Sequence, residues 1–434
     1  MYISVKFKFL IVLLIAFAWL SLSIYLTIPW IHDLSEYINW LGAWIIISLI
    51  ALIPGFMYAF FLASYIFDKR PKIRPVHEWP DISVIVPAHN EESNIVKSIQ
   101  SVFNQDYAGR FEVIVIDNAS TDNTLALLKE LKMENLTVLE ELTKGKSHAL
   151  NTGIAKAKYD HVLTLDADTC LMKNALTEIV KKFLNCAHLP TPTAAVAGSI
   201  YIQNSRATMI TRMQEWEYFH GIAGVKRMQS LFQGTLVAQG NFSLYKKSCI
   251  TEVGLWQHTV GEDIVLTWGL LLKGYRIDFA EDAIAFANVP ETYKKFFLQR
   301  SRWARGLIEA FIAYPTILLQ PRLITFIVYW NLLFPAMDAA FFFIFIPAVI
   351  AALFFGFYLM AGPMTLTVIP LAILLNTILY RGQKKVFQRH NLHVRRNRLG
   401  FIFYLLFYNF IMSPACIHGY MSEIFSLQKK WGTK

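Results

Sequence analysis

The sequence predicts an α/β domain on a mostly parallel sheet, set between transmembrane α-helices. Three observations predict it. Long apolar stretches occupy residues 9–30, 41–67, 323–380 and 400–420, each matching or exceeding the roughly 20 residues needed to cross a bilayer. Between them, residues 68–320 alternate short apolar runs of strand length with helical segments, the pattern of a parallel sheet with crossover helices. One such run, His161–Leu165, ends in Asp166-Ala-Asp168, and the period of two along a strand sends both carboxylates to one side of the chain.

The membrane part is justified by composition. Of 434 residues, 55% are hydrophobic, with 33 Phe, 19 Tyr and 11 Trp, more than a water-soluble core of this size needs. The first apolar run has Lys6 and Lys8 before it, as a signal peptide would. It is too long for one and lacks a small-residue cleavage site, so it reads as a retained span. Basic residues flank the spans: Lys6 and Lys8, then Asp68-Lys-Arg-Pro-Lys-Ile-Arg74, then a loop over 381–398, whereas the connection 31–40 has no Lys or Arg. The positive-inside rule puts all three basic segments, and with them the domain 68–320, in the cytoplasm of a cell whose inner membrane the chain spans. Two spans then lie in 1–67 and about three in 321–434, with a turn near 350–364; Lys429, Lys430 and Lys434 argue mildly against an outside C-terminus. Segments near 206–231 and 291–316 read as helices resting at the bilayer surface. The formal charge of +10 gathers beside the spans, where anionic lipid headgroups lie, and no nucleic-acid module is present. Four cysteines, at 170, 186, 249 and 416, show neither metal nor disulfide spacing.

The α/β part is justified element by element. A strand from Asp81 runs into Pro87 and a polar turn, followed by a helix over 94–103. A second strand, Phe111–Ile116, ends at Asp117, and a helical segment to about 132 follows. A third strand lies near Thr137–Glu140, before Gly145-Lys146 and a helix with Ala149, Leu150 and Ile154; the fourth ends at Asp166. Further strands are expected at 195–199 and 240–245, and a helix over 264–272. No G-x-G-x-x-G follows the first strand and no phosphate loop is present, which speaks against dinucleotide oxidoreductases and P-loop ATPases.

Polar groups collect just past the strand ends. Asp117 suits a base imide or a ribose hydroxyl, or caps the helix after it. Lys144 and Lys146 suit a diphosphate. The Asp166–Asp168 pair suits a divalent metal held against phosphates. Gly261-Glu262-Asp263 opens a helix, where a carboxylate can cap or act as a base. Gln299-Arg-Ser-Arg302-Trp303 precedes a span; Arg302 suits a departing diphosphate and Trp303 a sugar face, or both anchor at the interface.

V-P-A-H-N-E-E at 86–92, Asp117, D-A-D at 166–168, G-E-D at 261–263 and Q-R-S-R-W at 299–303, in this order and between spans, resemble the family 2 inverting, processive glycosyltransferases, the membrane synthases of cellulose, hyaluronan and poly-N-acetylglucosamine. The resemblance covers about 80–310. It implies a GT-A-type nucleotide-sugar-binding domain, with Pro87, Asn90, Glu91, Asp117, Lys146, Asp166, Asp168 and Arg302 on a UDP-sugar donor. Asp117 would meet the uracil and Asp168 would ligate Mg2+ or Mn2+. Asp263 would be the general base with Glu262 beside it, and Gln299 and Trp303 would meet the growing polysaccharide acceptor. The family usually has Thr where this chain has Gly261, and a second Asp where it has Asn118. Size and span arrangement look most like the poly-β-1,6-N-acetylglucosamine synthases of biofilm matrix. The lipid bilayer, and a small accessory membrane subunit or export partner, would be the other partners. Trp330, Asn331 and Asp338 are candidates for the wall of a product channel.

Rival readings remain at this level. A non-processive transferase adding one sugar to a lipid would share the carboxylates, as would a processive synthase using UDP-glucose or making hyaluronan. A membrane transporter, which would show two related bundles of spans, or an inactive scaffold is the non-enzymatic reading.

Overall fold

In the computed structural model, residues 3–71, 73–186, 189–360 and 368–428 are described. Eight strands form one sheet in the order β3-β2-β1-β4-β7-β6-β8-β5. They are β1 Ile82–Ala88, β2 Phe111–Asp117, β3 Leu136–Glu140, β4 His161–Leu165, β5 Thr169–Leu171, β6 Thr193–Ile202, β7 Phe242–Lys246 and β8 Arg276–Ala287. The half β3-β2-β1-β4 is parallel, as expected. β7 runs antiparallel to both β4 and β6, and β5 antiparallel to β8, so the whole is a mixed sheet. The sequence reading missed β5 and β8. β8 alternates poorly because Asp278, Glu281 and Asp282 interrupt it, and each is matched by a basic partner from elsewhere in the chain.

β1 is buried along its whole length, and successive residues serve opposite faces. Val84 and Val86 join Val113, Val115, Leu176 and Phe183 on one side. Ile85 joins Ile114, Ile116, Leu150 and Ile154 on the other, in a core that continues through Trp268 to Phe60, Ile324 and Trp330 of the apolar helices. The sheet and the spans therefore share one hydrophobic interior. The helix Ile95–Phe103 forms because Ile95, Ile99 and Val102 recur on its buried face. Each such side chain contributes about 1.5–3 kcal/mol on burial.

Four helices among the described residues are long and apolar enough to cross a membrane: Val5–Ser35, Trp40–Ile66, Leu323–Phe355 and Arg398–Ile424. The helix Val368–Arg389 is apolar at first and basic at its end, and is not among those four. The basic stretch expected as a loop over 381–398 is thus helical as far as Arg389 and irregular only after it. The turn expected near 350–364 starts at Gly356, which takes the left-handed conformation that suits glycine; residues 361–367 lie outside the described residues, as do Lys429, Lys430 and Lys434. Lys8 donates to the Lys69 carbonyl, which sets the start of the first long helix beside the end of the second. Arg389 pairs with Glu281 and Asp282 of β8, so the basic stretch 381–398 meets the α/β domain. Trp330 is buried edge-on against Phe60, within the hydrophobic core. Asp338 accepts from Tyr420 at 2.9 Å and Ser413 at 3.3 Å, joining two of the long helices.

Candidate active site

The site is built at the C-terminal ends of β1, β2 and β4. At β2, the Asp117 carboxylate is buried; Oδ2 accepts the Ser120 N–H at 3.2 Å, and Oδ1 is enclosed with no hydrogen-bond partner among the described residues. A buried carboxylate oxygen without a donor is costly unless a ligand supplies one. The next residue, Asn118, is fully buried and donates to the carbonyls of Glu141 at 3.0 Å and Thr143 at 2.7 Å, while its Oδ1 accepts the Gly145 N–H at 2.8 Å. An aspartate there could not donate. Asn118 thereby fixes the loop whose next residue is Lys146. Gly145 has φ +141°, which a side chain tolerates poorly, and His148 and His258 crowd the position.

The turn after β1 supports this pocket. Asn90 sits at φ 56° and its Oδ1 accepts the Thr121 N–H at 2.8 Å, joining the β1 turn to the β2 turn. Glu91 accepts from Asn94 at 3.1 Å and its N–H donates to Thr124. Pro87 is buried inside β1, beyond the last β1–β4 pair at Ile85–Thr164. Of these three expected donor contacts, Asn90 and Glu91 shape the loop around the pocket, and Pro87 lies within the sheet.

The carboxylates converge on one lysine. Lys146 Nζ stands 2.6 Å from Asp166 and 3.4 Å from Glu262. Burial works against this ammonium, but Asp166 and then Glu262 outweigh it and raise its pKa above the ordinary lysine value. Glu262 is also buried; burial and its neighbour Asp263 push its carboxyl above the usual range, against Lys146 and Arg302. Asp263 opens the helix Glu262–Leu272, and its Oδ2 accepts the Gly240 N–H at 3.3 Å. A Cβ on Gly240 would lie 2.7 Å from Lys146 Nζ, so a side chain there would displace the ammonium from its present position. Asp168 accepts from Thr169 at 3.3 Å. Tyr218 lies close enough to Asp166 and Asp168 to feel both charges, although burial is the main cause of its raised pKa.

The helix Tyr293–Ala313 brings the Q-R-S-R-W segment. Arg300 is fully buried and was singled out by no sequence signal beyond its place in that segment. It pairs with Glu217, donates to the Gln299 side chain, reaches Gln214 at 3.3 Å, and lies 4.0 Å over the Trp303 ring and 4.7 Å over Phe296. Gln299 and Trp303 are thus oriented by Arg300, with Trp303 left 41% exposed. Arg302 lies on the Glu262 side. The same helix presses on the last long helix: Ser301 meets His418 at 2.7 Å, Arg305 meets Glu423 at 2.7 Å, and a Cβ on Gly419 would strike the Ser301 carbonyl at 2.1 Å.

Residues 83–254 match the family described as Glycosyl transferase family 2. This segment is similar to family 2 glycosyltransferase domains. It is 33% identical over 276 residues to the poly-β-1,6-N-acetyl-D-glucosamine synthase of Staphylococcus aureus (strain COL), covering 62% of this chain and 65% of that one. Against the synthase of the same name from Staphylococcus epidermidis it is 32% identical over 271 residues, 61% and 64% of the two chains. The match therefore spans just under two thirds of these relatives. Among solved structures, a mannosyltransferase from Pyrobaculum calidifontis, in complex with GDP-Man and Mn2+, superposes with a TM-score of 0.56 at 21% identity, covering 88% of this chain and 99% of that one. That likeness concerns the fold: the glycosyltransferase domain is GT-A-like. The family match ends at Gly254, so Glu262, Asp263 and the Q-R-S-R-W helix of this domain's site lie beyond it.

Proposed function

We propose that this protein is a membrane-embedded β-glycosyltransferase that polymerises N-acetylglucosamine from UDP-N-acetylglucosamine into an exopolysaccharide. The observation that supports the reading is the convergence of Asp166 and Glu262 on Lys146, with Asp263 beside Glu262, together with the buried Asp117 Oδ1 that lacks a donor among the described residues; these groups would serve a diphosphate, an acceptor hydroxyl and a base imide. The names of the Staphylococcus relatives support the sugar.

In the proposed reaction Asp117 Oδ1 takes the imide N–H of uracil. Lys146 shifts its ammonium onto the donor diphosphate. Asp263 accepts the proton of the acceptor hydroxyl as that oxygen bonds to C1 of the donor; the C1–oxygen bond to UDP breaks and its electron pair leaves with UDP. One displacement inverts an α-linked donor to a β product. Asp168 would hold Mg2+ or Mn2+, whose charge would offset that of the leaving diphosphate. Among the described residues no three His, Cys, Asp or Glu side chains gather into a metal site, so the donor's phosphates would complete the ion's shell, as is common for Mg2+. Gln299 and Trp303 would receive the acceptor sugar. The basic flanks favour a cytoplasmic domain.

The test uses membranes holding the full chain, Mg2+ or Mn2+, and radiolabelled UDP-N-acetylglucosamine beside UDP-glucose, with products sized and treated with a β-1,6-N-acetylglucosaminidase. Long, enzyme-sensitive product from the first donor alone supports the proposal. A single-sugar glycolipid would replace it with a non-processive transferase, and polymer from glucose would overturn the substrate.

A further inference from the structure

Gly261 and Gly306 touch backbone to backbone. A Cβ on Gly261 would lie 2.4 Å from Gly306 Cα, and a Cβ on Gly306 2.7 Å from Gly261 Cα. Three residues on, the buried Glu309 carboxylate accepts the N–H groups of Gly261 at 2.8 Å and Val260 at 3.1 Å. Residues 302, 306 and 309 share one face of the helix Tyr293–Ala313 by their i, i+4, i+7 spacing. One face thus carries Arg302, a bare contact point and a clamp, all directed at the segment that leads into Glu262 and Asp263. A carboxylate accepting backbone N–H groups ahead of a helix is also favoured by the helix dipole.

We propose that Glu309 is a positioning residue which, with Gly306, sets the separation between the Glu262–Asp263 carboxylates and Arg302. The inference rests on the function proposed above. Glu309 touches no reacting atom. It holds the base and the arginine as one rigid pair across two helices, so that proton removal and diphosphate departure occur at a fixed spacing. It also explains why glycine stands at 261: any side chain there would push the two helices apart.

The experiment compares wild type, Glu309→Gln and Gly306→Ala as full chains in membranes. It measures kcat and KM for UDP-N-acetylglucosamine, UDP affinity, thermal midpoint, and the ratio of UDP released to sugar transferred. Glu309→Gln keeps shape but turns one of the two acceptor oxygens into a donor that faces one of the two N–H groups. Misplacement of about 1 Å costs on the order of 100-fold in rate, so kcat is expected to fall ~10–100-fold. KM and UDP affinity should stay within ~3-fold, while UDP release per sugar transferred rises. Unchanged kcat overturns the inference. So does a kcat that falls only with the folded fraction while the release ratio stays constant. A wild type that releases UDP without building polymer defeats the polymerase reading alone, because the release rate still reports the spacing; a wild type inert to every UDP-sugar defeats both.

Discussion

The two halves of the α/β domain are held together differently. The half β3-β2-β1-β4 is parallel, and its site residues sit on turns bonded to each other within about one strand spacing: Asn90 to Thr121, Asn118 to Gly145, Ser120 to Asp117. The half that carries Glu262, Asp263 and Trp303 is braced from outside the sheet. Arg300 is buried on Glu217, Arg305 on Glu423 of the last long helix, Arg227 on Asp68 and Glu281, and Arg322 on the carbonyls of Leu271 and Tyr275. If the first half holds the nucleotide as proposed, its pocket is preformed by local structure. If the second half holds the acceptor, that site depends on the long apolar helices staying in place.

The largest effect that would break this comparison concerns the proposed base. Asp263→Asn is expected to lower transfer roughly 10²–10⁴-fold, with UDP affinity nearly unchanged, measured by labelled product and by UDP titration. Next, Arg300→Met strands Glu217 without its counter-charge and should destabilise the protein by about 3–5 kcal/mol. Thermal unfolding in detergent would record this, and in the surviving folded fraction the loss should fall on acceptor use. Asn118→Asp removes two donors and leaves the carbonyls of Glu141 and Thr143 unsatisfied, at about 1–3 kcal/mol each for a buried group; KM for the donor should rise with the polymer's size distribution unchanged.

The smallest effect is a pH dependence. Lys226 donates to the Val237 carbonyl and Gln239, and burial, opposed by Asp263, lowers its pKa to about 7. Its folded pKa lies below its unfolded one, so its contribution to stability is full above the ordinary lysine range and lost as pH falls through about 7. The thermal midpoint of the wild type should therefore gain on that of Lys226→Gln as pH rises from about 7 to 9.

The first half was legible in the sequence because its information is local. The run His161–Leu165 is a buried strand, the carboxylates follow it directly, and strand–helix alternation places Asp117 and Lys146 at the same edge. The second half was legible only at its motifs. Nothing in the residues around Arg300 names Glu217, 83 positions earlier, as its partner. β8 stayed hidden because its charges look like loop until Arg276, Lys182, Arg227 and Arg389 are seen against them. Gly306 and Glu309 resemble ordinary helix residues until Gly261 is found beside them. Asn118 departs from the family's usual aspartate, and its reason, two donated hydrogen bonds across the loop, exists only in three dimensions.

The most direct test of the two-part site is a paired titration of Asp117→Asn and Arg300→Met, following UDP affinity and product length in the same membranes. A hydrogen bond to a charged group contributes about 1.5–3 kcal/mol, so Asp117→Asn should weaken UDP binding roughly 10–100-fold and leave product length per donor bound unaltered. Arg300→Met should do the reverse. Equal loss of both properties in both variants would contradict a site built from two separately supported halves.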